Sequence, residues 1–241
     1  MNINDIFEFN LVRLNKHQSG RTITPEDFNL VAKMINYVYY KVKVGLPEQY
    51  QPGNPFPPQA WQVSQKITDD MAQFIVWMGG PDYPAMTIDK YGVAEIPLDY
   101  VAFSSCYYDY LKQQDCGDEP SPRSVEFVID SVFADRVQSV IKRPDMEYPI
   151  AKWIGNRKVQ FMPKNLRSVN FTYLREPITP HFAYTYDGNN DIIYDPINSV
   201  QFEWPQVALS DIANLIFEIM SQNIKSQLDI QMAVQRKLQG Q

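Results

Sequence analysis

Residues 148–175 read YPIAKWIGNRKVQFMPKNLRSVNFTYLR. This stretch is rich in aromatic and β-branched side chains, which favour strands, and Gly155-Asn156 has the composition of a hairpin turn. Short runs of the same kind continue at regular spacing, and six lie between residues 148 and 204: 148–154, 157–162, 168–175, 182–186, 191–194 and 200–204. Short strands at regular spacing predict an antiparallel sheet or a small barrel.

The chain before this stretch continues the β-rich pattern and contains one short helix. Residues 96–111 are dense in Tyr, Phe and Val, and residues 125–129 read as a short strand. Residues 131–141 have the apolar spacing of a helix. Five side chains of this helix are expected to be buried: Val132, Phe133, Val137, Val140 and Ile141.

Helical spacing dominates the chain before residue 80. Residues 3–16 predict a short amphipathic helix. Thr24-Pro25-Glu26-Asp27 opens a second helix, because Thr24 can cap it, Pro25 needs no N–H at its first position and the acids suit its positive end. The expected buried stripe of this helix is Phe28, Val31, Ala32, Ile35, Val38 and Val42.

A stiff connection separates this helix from a third one. Residues 50–58 contain four prolines in nine positions, which excludes a helix or an interior strand there. Apolar spacing then predicts a helix over 58–78, and two more at 207–222 and 225–239. We expect the last helix to dock on a partner through four apolar side chains: Ile224, Leu228, Met232 and Leu238.

These elements predict an α+β fold with an antiparallel β-rich middle. The expected division is a helical region at 1–80, a β-rich region with one short helix at 81–205, and C-terminal helices at 206–241. We expect the C-terminal helix pair to pack on the N-terminal helices, because neither set closes a good core alone.

The charge of the chain is concentrated in one segment. The 241 residues carry a formal net charge of −6, and residues 79–147, with 6 basic and 13 acidic side chains, account for the excess. An acidic chain is a poor candidate for coating DNA or an anionic membrane, and no apolar run approaches the roughly 20 residues of a membrane span. The N-terminus lacks the pattern of a signal peptide. The acidic segment is either a solvated loop region, with Pro120-Ser121-Pro122 in its turn, or a surface that avoids DNA or attracts a basic partner.

Residues for metal or nucleophilic chemistry are scarce. Only two cysteines, Cys106 and Cys116, and two histidines, His17 and His181, occur, and none has the companions of a known site type. Residues 15–26 match the spacing of a calcium loop in part, but Glu26 is their only carboxylate. No glycine-rich phosphate loop is present. We therefore expect no enzyme, no cofactor and no metal.

Three tyrosine clusters and several carboxylate pairs leave alternatives open. Stacked tyrosines suit a carbohydrate-binding or adhesion module, although such residues more often form a core or a protein interface: Tyr37, Tyr39, Tyr40, Tyr107, Tyr108, Tyr110, Tyr184 and Tyr186. A hydrolase that uses Asp69-Asp70, Asp118-Glu119, or Asp187 with Asp191, ranks lowest, because no activating companion is visible.

The order of several weak motifs resembles one family. The chain is similar to virion proteins of Bacteroides bacteriophages, including crAss-like phages, which share a turn, a helix start, five further motifs and a closing helix pair. The matching stretches are Asn15-Lys16-His17-Gln18-Ser19-Gly20, Thr24-Pro25-Glu26-Asp27-Phe28-Asn29, 143–150, Phe161-Met162-Pro163, 173–180, 187–195 and 199–204. Arg21-Thr22-Ile23 departs from the shorter link of the family.

The resemblance implies a ring subunit of the head-to-tail connector, beneath the portal and in the neck or tail of the virion. It implies a homo-oligomeric ring, a dodecamer, that contacts the portal and neighbouring connector or tail proteins. The genome would pass through the lumen without sequence-specific binding, and no membrane would be involved. The protein would be made in the cytoplasm of the bacterial host and end in the virion.

Overall fold

A computed structural model describes residues 1–15, 24–44, 65–112, 119–189 and 191–221. The chain forms two compact units. The helical unit comprises Met1–Gln73 and Pro177–Gln241, and the β unit comprises Phe74–Glu176. A mixed α+β fold with several antiparallel sheets is confirmed. The boundaries between the units lie near residues 73 and 176, whereas the sequence predicted the boundaries of the β-rich region at residues 80 and 205.

The helices of the described residues are α1 (Ile3–Asn15), α2 (Pro25–Val44), α3 (Gln65–Met71), α4 (Asp130–Gln138) and the described part of α5 (206–221). The predictions of α1 and of the start of α2 are confirmed. The Thr24 hydroxyl accepts the Asp27 N–H at 3.2 Å, as expected of a cap. The predicted turn after α1 and the helix at 225–239 lie outside the described residues.

The β unit contains two sheets. Its strands are β1 (Ile75–Met78), β2 (Met86–Thr87), β3 (Val93–Glu95), β4 (Tyr100–Lys112), β5 (Glu119–Ser124), β6 (Glu126–Phe127), β7 (Ile150–Trp153), β8 (Lys158–Met162) and β9 (Ser168–Arg175). One sheet has the order β1-β9-β4-β5, with β2 also paired to β9, and the other has the order β3-β8-β7-β6. Only the short β6–β7 pairing is parallel among these strands.

Alternation of side chains along the strands builds two cores in this unit. Ala151 of β7 belongs to the core between the two sheets, together with Val159 and Phe171. The preceding residue, Ile150, points the other way and packs with Phe133 of α4. The hairpin predicted at Gly155-Asn156 is confirmed, and its Asn156 has a left-handed φ of 50°.

Several details of the sequence prediction are wrong. The helix expected to reach residue 78 ends at Met71, and Ile75–Met78 is a strand paired with β9. A short apolar run fits the periodicity of a helix as well as that of a strand. Residues 75–78 are a strand because they pair with β9, almost 100 residues further along the chain. The strand predicted at 200–204 is a single bridge between Val200 and His181. Val140 and Ile141, expected to be buried, are 97% and 94% exposed, because α4 ends at Gln138.

Residues 120–122 form part of an edge strand rather than a turn. Pro120 and Pro122 lie in β5, opposite Leu111 and Asp109 of β4. Proline lacks the N–H that a central strand must donate, but an edge strand needs donors on one side only. Their spacing of two places both ring nitrogens on the same side, so β5 can still pair with β4.

The helical unit is held by aromatic rings and buried amides. The Phe7 ring lies 4.6 Å from Phe182 and 5.2 Å from Phe28. The Arg13 guanidinium stacks 3.9 Å above Phe217, which brings α5 against α1. A small hairpin of β10 (Tyr184–Tyr186) and β11 (Ile192–Tyr194) completes the unit, as predicted.

Candidate interaction surfaces

Helix α2 has apolar side chains on two faces. Phe28, Ala32 and Ile35 are at most 2% exposed, as the predicted stripe requires. Val38 and Val42, assigned to the same stripe, are instead 47% and 63% exposed. The buried face continues through Tyr39 and Tyr40, which follow Ile35 and Asn36 by four residues, whereas the step of three from Ile35 to Val38 turns back by about 60° around the helix axis.

The exposed apolar face of α2 is a continuous row. Leu30, Met34, Val38 and Val42 follow one another at every fourth residue, and we name them the α2 stripe. Side chains four apart on a helix are neighbours, so the row forms one surface. The flanking Tyr37 is 40% exposed, and the Lys41 ammonium lies 5.2 Å from its ring centre.

Two amides, the half-buried Asn29 and the buried Asn36, set the rotation of α2 and therefore the direction of the stripe. Asn29 accepts the N–H of Phe182 at 2.7 Å and donates to its carbonyl at 3.0 Å. Asn36 accepts the indole N–H of Trp204 at 2.8 Å and donates to the Ile178 carbonyl at 3.2 Å. Any rotation that buried the stripe would break these four bonds.

A second candidate surface is an open groove in the β unit. It has a volume of about 480 Å³ and is lined by five residues: Ile96, Leu98, Tyr100, Trp153 and Arg157. We name it the aromatic groove. The connection from β3 to β4 supplies Ile96 and Leu98, the first residue of β4 is Tyr100, and the β7–β8 hairpin supplies Trp153 and Arg157. The Ile96 N–H donates to the Arg157 carbonyl at 2.9 Å, which joins the two sides.

The rings of the groove belong to a larger aromatic cluster. Trp153 lies 5.6 Å from Tyr100 and 5.2 Å from Phe127, centre to centre, and Phe127 lies 4.4 Å from Phe103. Trp153 is nevertheless 42% exposed and Leu98 is 86% exposed. The cluster therefore presents a rigid aromatic wall to solvent.

The groove offers hydrogen-bond donors and few acceptors. The Arg157 guanidinium donates to the Pro97 carbonyl, and the backbone of Arg157 has a left-handed φ of 57°. The indole N–H of Trp153 has no acceptor among the described residues. Burial raises the pKa of Tyr100 to about 12, so its phenol stays protonated at neutral pH.

The predicted docking residues Ile224, Leu228, Met232 and Leu238 lie outside the described residues.

The tyrosine clusters are divided between core and surface. Tyr39, Tyr40 and Tyr108 are buried, whereas Tyr37 and Tyr186 are exposed. Neither the α2 stripe nor the aromatic groove was predicted from the sequence. The sequence does show an apolar residue at every fourth position from Leu30 to Val42.

The carboxylates considered for catalysis have local structural roles. Asp70 pairs with the Lys43 ammonium at 3.1 Å. Asp187 accepts the N–H groups of Asn189 and Asp191 in the turn between β10 and β11. Asp118 lies outside the described residues.

The acidic segment is similarly engaged in local contacts. Ion pairs hold Glu126 to Arg136 and Glu147 to Arg123, and the Asp99 carboxylate accepts the Tyr173 hydroxyl at 3.0 Å. Asp89 accepts two backbone N–H groups of the turn before β3. Some of its carboxylates are therefore paired with arginine or shape turns, while the segment keeps its net negative charge.

Cys106 is buried in the core of the β unit, and burial raises the pKa of its thiol to about 12. Across the described ranges, no group of three or more His, Cys, Asp or Glu side chains is arranged to hold a metal ion. Within the same ranges, no helix has the length and apolar character needed to cross a membrane.

Comparison with protein-family models found no match, and comparison with curated proteins found no significant relative.

Proposed function

We propose that this chain is a structural virion protein, a ring subunit of a phage head-to-tail connector below the portal. The ordered series of motifs shared with the crAss-like phage proteins supports this assignment. The observation in the structure that supports it best is the α2 stripe, an apolar surface on a rigidly oriented helix. On this proposal the protein is not an enzyme and needs no cofactor.

The α2 stripe suits a contact between copies of the chain. Four apolar side chains between 46% and 71% exposed form one row. Burying a large apolar side chain fully is worth about 1.5–3 kcal/mol, so covering these half-exposed ones would stabilise an interface by about 1 kcal/mol each. A closed ring needs head-to-tail contacts, in which the stripe of one copy meets a different surface of the next.

The proposed ring is a dodecamer around a DNA channel. Its partners would be the portal and the adjacent connector or tail proteins, and the genome would pass through without sequence-specific contacts. The net acidic charge of residues 79–147 supports this role, because a lumen that repels phosphate lets DNA slide. The protein would be made in the cytoplasm of the host bacterium and reside in the virion.

Replacement of Met34 and Val38 by Asp tests the interface. Both side chains are about half exposed, so the fold should persist, while two buried carboxylates would oppose subunit contact. We expect the variant to be absent from purified particles, measured by mass spectrometry and by electron microscopy of the connector. Val140→Asp with Ile141→Asp, at sites more than 90% exposed on another element, is the matched control.

Normal incorporation of the stripe variant would contradict the proposed interface. Particles that contain no ring of this chain in the wild type would contradict the proposed function itself.

Deletion of residues 225–241 is a separate test of the predicted terminal docking helix. We expect a folded chain that fails to join its partner, and normal incorporation would remove this helix as a docking element.

The second candidate function is a carbohydrate-binding or adhesion module. The exposed Trp153 beside Tyr100 favours it, because aromatic faces stack on sugar rings. Glycan-array binding that is lost in Trp153→Ala would support it. Replacement of Tyr107 and Tyr108 is a less clean test, because Tyr108 is buried in the core.

A further inference from the structure

The chemistry of the aromatic groove restricts what it can bind. Its five lining side chains include aromatic and aliphatic surfaces, an indole N–H, a guanidinium and the Tyr100 phenol, but no carboxylate or amide. The Asp99 carboxylate accepts the Tyr173 hydroxyl through Oδ1 at 3.0 Å, and Asp99 is not among the residues that line the groove. A ligand that matches this surface is apolar, rich in acceptors and poor in donors.

A proline-rich peptide has this composition. Each proline lacks an N–H, its carbonyl remains a strong acceptor, and its ring packs on aromatic faces. A sugar fits less well, because its hydroxyl groups also donate and require acceptors from the protein. The polyproline conformation is already extended, so little conformational entropy is lost when it binds.

The chain itself contains a segment of this kind. Residues 52–58 read Pro-Gly-Asn-Pro-Phe-Pro-Pro, so four of the seven positions have no backbone N–H that would need an acceptor in the groove. Fully extended as polyproline, seven residues span about 22 Å. The carbonyls of such a segment would accept the Trp153 indole N–H and a guanidinium N–H of Arg157.

We propose that the aromatic groove binds the proline-rich segment 52–58 of a second copy of this chain. The identity of the occupant as a second copy rests on the proposed self-assembly, whereas the preference for proline-rich peptide rests on the groove alone. The contact would link neighbouring subunits by a short extended arm. It is distinct from the contact proposed for the α2 stripe.

Titration of the full chain with a peptide of residues 49–60, QYQPGNPFPPQA, tests the preference of the groove. We expect saturable binding by calorimetry and a shift of the Trp153 indole N–H signal in NMR spectra. Replacing Pro55, Pro57 and Pro58 of the peptide by Ala should weaken binding at least 10-fold. Equal binding of the Ala peptide, or no binding of the native peptide, would overturn the preference.

Substitutions in the protein locate the site. Trp153→Ala should weaken peptide binding at least 10-fold, and Trp77→Ala, which removes a tryptophan of similar exposure from β1, should not change it. Because Trp153 also packs on Phe127, Leu98→Ser at an 86% exposed site is the second variant and should weaken binding several-fold without loss of folding. Peptide affinity unchanged in Leu98→Ser and Trp153→Ala would overturn the site.

Competition identifies the source of the segment. Excess peptide should lower the average mass of the concentrated full chain in light scattering, and the Ala peptide should not. Peptide binding with no effect on self-association would overturn the second copy as occupant. Absence of peptide binding, together with normal wild-type rings that the stripe variant cannot join, would refute this inference and leave the proposed function standing.

Discussion

Single amides decide how the helical unit is assembled. Asn36 lies on the buried face of α2 among apolar residues, and both of its polar groups are bonded, to Trp204 and to Ile178. A buried amide is tolerated only when its donors and acceptors are paired. The sequence pattern left Asn36 out of the buried stripe, because its partners are more than 140 residues away and invisible to local spacing.

Asn36→Ala should destabilise the protein by about 1–3 kcal/mol. The substitution removes the acceptor of the buried Trp204 indole N–H, and an unsatisfied buried donor costs about 1–3 kcal/mol. Urea unfolding followed by circular dichroism measures the loss. Asn4→Ala, which removes an exposed amide on α1, should change the free energy of unfolding by less than about 0.5 kcal/mol. Equal effects of the two substitutions would contradict the role of Asn36.

At the scale of elements, the sequence predicted the cap of a helix but not which strands pair with one another. Thr24-Pro25 marks the start of α2 in the sequence, and the cap is present in the structure. The strands β1 and β5 were missed for a different reason. Ile75–Met78 has an apolar run that fits a helix equally well, and Pro120 and Pro122 read locally as a turn. Only the neighbouring strands β9 and β4 make these segments strands.

Thr24→Ala should destabilise the protein by about 1 kcal/mol, because the Asp27 N–H at the first turn of α2 loses its acceptor. Thr24→Ser keeps a hydroxyl at the same place and should retain most of the stability. Thermal unfolding of the two variants in parallel measures the difference. A Thr24→Ser variant as unstable as Thr24→Ala would show that the hydroxyl is not the cause.

At the scale of the whole molecule, the β unit is one continuous segment inserted into the helical unit. Its ends meet, because Ile75 of β1 pairs with Leu174 of β9. Paired strand residues lie about 5 Å apart. The unit has its own core between two sheets, and an insertion of this form can fold separately.

Residues 74–176 should therefore fold when expressed alone. We expect a cooperative thermal transition and dispersed amide signals in NMR spectra. A segment of residues 80–176, which lacks β1, should be much less stable, because it exposes the edge of β9 and loses the buried Val76. An unfolded 74–176 segment would show that the β unit depends on the helical unit.

The amino-acid sequence by itself determined the mixed α+β class, the helices α1 and α2, and the hairpins at Gly155-Asn156 and Asp187-Gly188. Each of these depends on capping, turn chemistry or periodicity over a few residues, which local sequence specifies. Tertiary structure decided which face of α2 is buried, that Ile75–Met78 is a strand, and that Tyr100 and Trp153 line one groove. These features depend on contacts between residues that are far apart in the sequence. Such contacts stabilise the structure only once folding has brought the residues together.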